Sequence, residues 1–179
     1  LYCATDFMAT VSNDTFASGY NSFYIKQMRY AADTDIPVER TRADIEKILQ
    51  RYGATGFMYA WNEKGAVVGF QMNGMTVKFV LPLPNRNTKE FTHSHNGTRE
   101  RSPEGAHRAW EQACKQRWRA LSLCIKAKLE AVETGITTFE QEFLAHFLMP
   151  NGETFGEHAI PQIEEASKSG RMPQLLIGN

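Results

Sequence analysis

At 179 residues, the chain has the length of a single domain with a buried core. Its twenty Lys and Arg balance twenty Asp and Glu, so overall charge selects no partner, and any electrostatic preference must be regional. No run reaches the roughly eighteen consecutive apolar residues that a membrane helix needs, so no membrane partner is expected.

Residues 1–27 mix Ser, Thr, Asn and scattered aromatics without helical or strand periodicity. They read as a poorly ordered arm, a non-native extension or a genuine N-terminal extension. Met28 opens more ordinary sequence, and the expectation is a natural start there, with 28–179 forming one domain. The N-terminus shows no charged region followed by an apolar core and a cleavage site. Cys3, Cys114 and Cys124 form no CxxC pair and leave an odd number, which fits a reducing, cytoplasmic setting.

The first helix is signalled by Ile45, Ile48, Leu49 and Tyr52, one apolar stripe at helical spacing. Thr41 and Asp44 resemble a capping box at its start, and Gly53 suits a left-handed stop. Residues 56–83 read as a three-stranded antiparallel meander. Asn73-Gly74 is a strong type I′ signal, because that turn needs positive φ at both central positions. This turn pairs Met72 with Met75, Phe70 with Val77 and Val68 with Phe79. The loop at Asn62-Glu63-Lys64-Gly65 pairs Trp61 with Ala66, Tyr59 with Val68 and Phe57 with Phe70. Side chains alternate along strands, so all of these share one face. The other face carries Met58, Ala60, Val67, Gly69, Gln71, Thr76, Lys78 and Val80. The aromatic face can be a base-stacking platform or a core face for helices; core is the expectation.

Leu81-Pro82-Leu83-Pro84 ends the pairing. Residues 85–102 are polar, basic and turn-rich, and read as a flexible loop without regular structure, a length that usually marks function or disorder. Ser102 and Pro103 then open a long helix that Gly135 closes, about 103–134, a rod of roughly 48 Å. Cys114, Trp118, Leu121, Ile125, Leu129 and Val132 form its apolar face. Arg108, Lys115, Arg119 and Lys126 fall within about 20° of one line on another face, a basic stripe roughly 27 Å long. Thr137 and Glu140 resemble a capping box for a short helix carrying Phe139, Phe143 and Phe147 on one side. A turn at 149–153 follows, then Thr154 and Glu157 head a last helix that Pro161 is expected to bend and Gly170 to end. The fold class is therefore α+β: a short helix, the meander at about 55–83, and a long helix with two shorter C-terminal helices packing on the aromatic face. The topology is similar to double-stranded-RNA-binding domains, a likeness that carries no function.

Charge divides along this order. Residues 1–83 hold eight side chains of each sign, 84–128 hold ten Lys or Arg against four Glu, and 129–179 hold two against eight acids. The basic middle suits phosphate contacts, which release condensed counterions. Signals for catalysis are few. His93 and His95 make an HxH fragment without the further ligands zinc needs, and Glu142 with His146 is a second weak metal pair. Neither GxxxxGK[ST] nor GxGxxG occurs, no GxSxG elbow is present, and the strands hold no acids for Mg²⁺. No cofactor is expected.

Three further segments, Arg51-Tyr-Gly-Ala-Thr-Gly-Phe-Met-Tyr59, Val80-Leu-Pro-Leu-Pro84 and Trp110-Glu-Gln-Ala-Cys-Lys-Gln-Arg-Trp-Arg-Ala120, together with Ile125-Lys-Ala-Lys-Leu-Glu-Ala-Val-Glu133, resemble a group of short uncharacterised bacteriophage, prophage and environmental viral proteins. The resemblance spans about residues 28–172. It implies a virus-derived gene expressed in bacterial cytoplasm and carries over no activity or functional residue. The leading expectation is a non-enzymatic phage accessory protein binding DNA or RNA through Arg108, Lys115, Arg119 and Lys126, helped by Arg86, Lys89, Arg99 and Arg101. The alternatives are an interaction module that modulates a host or phage enzyme, a homodimer through the long helix being one form of it, and a metal-dependent hydrolase using His93 and His95.

Overall fold

The computed structural model describes residues 31, 34–62, 65–94 and 97–172. The readings of 1–27 as an arm or extension and of Met28 as a start lie outside them, as do Cys3 and His95. The element order is α1 (Val38–Arg51), β1 (Gly56–Trp61), β2 (Gly65–Met72), β3 (Met75–Pro82), α2 (Lys89–Thr92), α3 (Pro103–Glu133), α4 (Phe139–Phe143), a 3₁₀ turn (Leu144–His146) and α5 (Phe155–Ser169). This is the expected α+β fold.

The sheet has the order β1-β2-β3, antiparallel throughout. Asn73 (φ 51°) and Gly74 (φ 75°) both adopt the positive φ of the type I′ turn. The register follows from it: Met72 faces Met75, Phe70 faces Val77, Tyr59 faces Val68 and Trp61 faces Ala66. Val68, Phe70, Met72, Val77, Phe79 and Leu81 are buried beneath Ile45 and Leu49 of α1 and Trp118, Leu121, Ile125 and Leu129 of α3. The aromatic face is thus core, except at Met75 beside the turn and where edge strand β1 leaves Tyr59 44% and Trp61 66% exposed. Arg42 of α1 lies over the Tyr59 ring at 4.3 Å.

Two helix starts differ from expectation. Thr41 does not cap α1; the helix begins at Val38 after Pro37, whose φ of −59° and ψ of 152° hold the entering chain extended. Thr41 is buried one turn in, its hydroxyl donating to the Pro37 carbonyl at 3.4 Å. The box of α4 is shifted by one residue: Thr138 accepts from the Gln141 N–H, and Gln141 accepts from the Thr138 N–H. The box of α5 is as read, Thr154 with Glu157, and Gly170 closes that helix at φ 69°. Helix α5 runs through Pro161 to Ser169.

The chain between α4 and α5 extends the sheet. Phe147 bridges Val77, the Leu148 N–H bonds the Thr76 carbonyl at 2.9 Å, and Leu148 bridges Thr154 around the turn at 149–153. Phe139, Phe143 and Phe147 are all buried, with Phe139 4.9 Å from Phe143 and 5.7 Å from Phe147 between ring centroids. The first turn of α5 lies against the 3₁₀ turn so closely that a Cβ on Gly156 would sit 2.7 Å from the Ala145 carbonyl oxygen. Lys78 is the departure on the second sheet face. It is only 2% exposed, its Nζ donating to the Gly152 carbonyl at 3.2 Å and standing 3.9 Å from a Glu157 carboxylate oxygen.

Candidate nucleic-acid interface

Each cation in the basic middle of the chain either has a structural partner or faces solvent. Arg117 is half-buried on α3 and donates to the Pro82 carbonyl; burial holds its pKa below the usual guanidinium value. Arg101 donates to the Glu90 and Phe91 carbonyls, each at 3.3 Å. Lys128 bonds the Glu142 carboxylate at 2.9 Å and its carbonyl at 3.0 Å. In the predicted stripe, Lys115 stands 3.9 Å from Glu111, and Arg119 reaches Asp44 of α1 at 3.5 Å. The stripe is therefore interrupted at its middle by α1, leaving Arg108 exposed at one end and Lys126 at the other.

Arg108 lies in the second turn of α3, just past the segment that leads into the helix. That segment is not irregular throughout. Asn85 accepts from the Asn87 N–H at 2.9 Å, α2 forms one turn, and His93 bridges Glu100. Buried Phe91 anchors α2, which packs on α3. Pro82 and Pro84 stand where the ladder ends, and their carbonyls go to side chains of α3: that of Pro82 to Arg117 and that of Pro84 to the Trp110 indole N–H, the latter at 2.7 Å. His107 stacks on Trp110 at 5.7 Å, and the Arg86 guanidinium lies 6.0 Å from the same ring. Arg86, Lys89, Arg99 and Arg108 are exposed here, and among the described residues none enters an ion pair. Glu90, Glu100 and Glu104, also exposed, lie among them. Trp110 and its stack were missed from sequence because Trp110, four residues before Cys114, reads as the edge of the apolar face of α3, while the groups that take its ring and N–H, Arg86 and Pro84, come from the segment before the helix.

Of the metal readings, the His93–His95 pair lies partly outside the described residues, and the other side chains are engaged elsewhere. The His93 Nδ1 lies 2.9 Å from the Thr92 hydroxyl, while Glu142 is taken by Lys128 and His146 stacks on Phe79 at 4.0 Å. No three His, Cys, Asp or Glu side chains gather as metal ligands among the described residues. Cys114 is buried, which pushes its thiol up to about 11, so it stays protonated and unreactive near neutrality. Among the described residues, no helix is long and apolar enough to cross a membrane.

His146 does carry a pH dependence. Burial first, then the Lys128 charge, lowers its pKa, against a smaller opposing hydrogen bond with the Lys78 backbone. Folded His146 therefore resists a proton that the unfolded chain accepts near pH 6.5. Its stabilising contribution is complete above that pH and declines as pH falls below it toward the lowered folded value. Urea unfolding at pH 7.5 and pH 5.5 is expected to show a loss on acidification that shrinks in His146→Gln.

No family model, curated protein or solved structure matches the chain, so the functional reading rests on its surface chemistry.

Proposed function

We propose that this α+β protein is a non-enzymatic binder of DNA or RNA that contacts backbone phosphates through Arg86, Lys89, Arg99 and Arg108. The observation that carries this reading is that these four cations are exposed and, among the described residues, enter no ion pair, with Arg86 beside the Trp110–His107 stack. Phosphate contacts position a nucleic acid without reading its sequence, and the exposed side of a ring stack offers a surface for an unpaired base. The interspersed Glu residues make the surface weaker than a uniformly basic one, so binding is strongest at low salt. An accessory role for a phage or prophage protein in bacterial cytoplasm is in keeping with such binding and with the resemblance of its sequence.

The test is fluorescence anisotropy with labelled duplex DNA, single-stranded DNA and RNA across a salt series. Each of the four residues replaced by Ala is expected to reduce the slope of log K against log salt by about 0.9 on duplex, and Lys115→Ala and Arg119→Ala by less. Absence of binding at low salt, or binding indifferent to the four replacements together, rejects the reading.

A further inference from the structure

Strand β1 is an open edge, since the sheet order ends on it and no described strand pairs with its outer side. Its backbone groups can be assigned to a side. The Asn62 N–H bonds the Gly65 carbonyl at 2.9 Å, and bonded pairs alternate along an antiparallel ladder, so even-numbered residues face β2. Phe57, Tyr59 and Trp61 therefore turn their N–H and C=O groups outward, and they are also the strand's aromatic residues. Natural edge strands are usually guarded by a charge, a proline or a bulge. The sequence Gly-Phe-Met-Tyr-Ala-Trp has no charge and no proline, and its one irregularity, the Thr55 N–H on the Gln71 carbonyl that Gly56 opposes, lies at its first residue and leaves Phe57 to Trp61 in regular register.

We propose that β1 is the seam of a homodimer in which two copies of this chain join edge to edge into one continuous antiparallel sheet. The argument for a second copy is the strand's self-complementarity. With a dyad through Tyr59 perpendicular to the sheet, Tyr59 meets Tyr59 and Phe57 of each copy meets Trp61 of the other. This register satisfies two independent conditions. Its hydrogen-bonded pairs are between odd-numbered residues, the ones whose backbone groups face outward, with Met58 opposite Ala60 as the non-bonded pair between them, and it keeps the aromatic face of both sheets on the same side. It also covers the two rings that the fold leaves exposed, Trp61 at 66% and Tyr59 at 44%. Cross-strand aromatic pairs of this kind stabilise a ladder. No charged residue lies in the strand, so no like charges meet within the seam. Arg42 stays over its own Tyr59 ring at 4.3 Å and is offset by Glu39 at 3.5 Å.

The experiment uses the full chain in two measurements over a concentration series: sedimentation equilibrium, and hydrogen exchange resolved at single amides. The expected result is a dimer in which the Phe57, Tyr59 and Trp61 amides gain protection as it forms, while Met58 and Ala60 are protected throughout. Trp61→Lys is expected to raise the dimer dissociation constant about tenfold or more with an unchanged circular dichroism spectrum. Because Trp61 is the more exposed ring, this variant keeps the monomer folded even if Tyr59→Lys does not. A monomer at every concentration overturns the proposal, including one whose three amides are already protected by some other occupant. So does a dimer indifferent to Trp61→Lys, or one whose three amides exchange freely.

Discussion

Phe143→Ala is expected to cost about 3–5 kcal/mol of folding stability, the range for truncating a fully buried aromatic. Phe143 is fully buried at the end of α4, and its ring joins three parts of the fold. It meets Phe70 of β2 edge-on at 5.7 Å and Phe79 of β3 edge-on at 6.3 Å, both at 89°, and Phe139 of its own helix at 4.9 Å. The Lys128 ammonium of α3 lies 5.7 Å from the same ring. Edge-to-face pairs add about 0.5–1.5 kcal/mol each beyond area burial. The cavity left by Ala cannot collapse easily, because the strand rings are held by ladder register and α4 by its capping box. Urea unfolding should show a lower midpoint with an unchanged m-value; a loss under about 1.5 kcal/mol would mean the site repacks and the account is wrong.

The parts of the fold legible in sequence are those decided by neighbours in the chain. Asn73-Gly74 sets its own turn, and once the turn is set, every pair from Met72↔Met75 to Gly65↔Pro82 follows by counting. Phe139 and Phe143 share a side because they lie one helical turn apart. What failed was what depends on distant residues or on a choice between adjacent equivalents. Thr41 has capping chemistry, yet Pro37 sets the helix start, and a Thr in the first turns can as well donate its hydroxyl back to a carbonyl. Thr137 and Thr138 offer the same hydroxyl one residue apart. The helical wheel puts Lys115 and Arg119 on one line with Arg108 correctly, but cannot show that α1 lies beside α3 and brings Asp44 to Arg119. The same limit hid the Trp110 stack and the burial of Lys78, whose partners come from after α4.

Lys78 supports the second large effect. Its ammonium has left water for one carbonyl and a carboxylate at 3.9 Å. Removing one partner of a buried pair is costly because the other charge stays desolvated, whereas replacing both by apolar groups can be neutral. Glu157→Gln is therefore expected to cost about 1–3 kcal/mol, less than for a fully enclosed pair because Glu157 is 26% exposed. Loss of the α5 cap does not explain the effect, since a Gln side chain can still accept the Thr154 N–H that Glu157 now accepts at 2.7 Å. Lys78→Met removes the buried charge, keeps an unbranched stem in the same space and leaves Glu157 partly in water. It is expected to cost less than Glu157→Gln, and the double variant should be more stable than Glu157→Gln alone. That ordering separates electrostatics from packing: if Lys78 mattered only as a filler of volume, Met would replace it without changing what Glu157→Gln costs. A double-mutant cycle by urea unfolding reads the difference. A coupling near zero would mean that Lys78 is held by the Gly152 carbonyl alone, and that the turn at 149–153, rather than α5, is what the sheet grips.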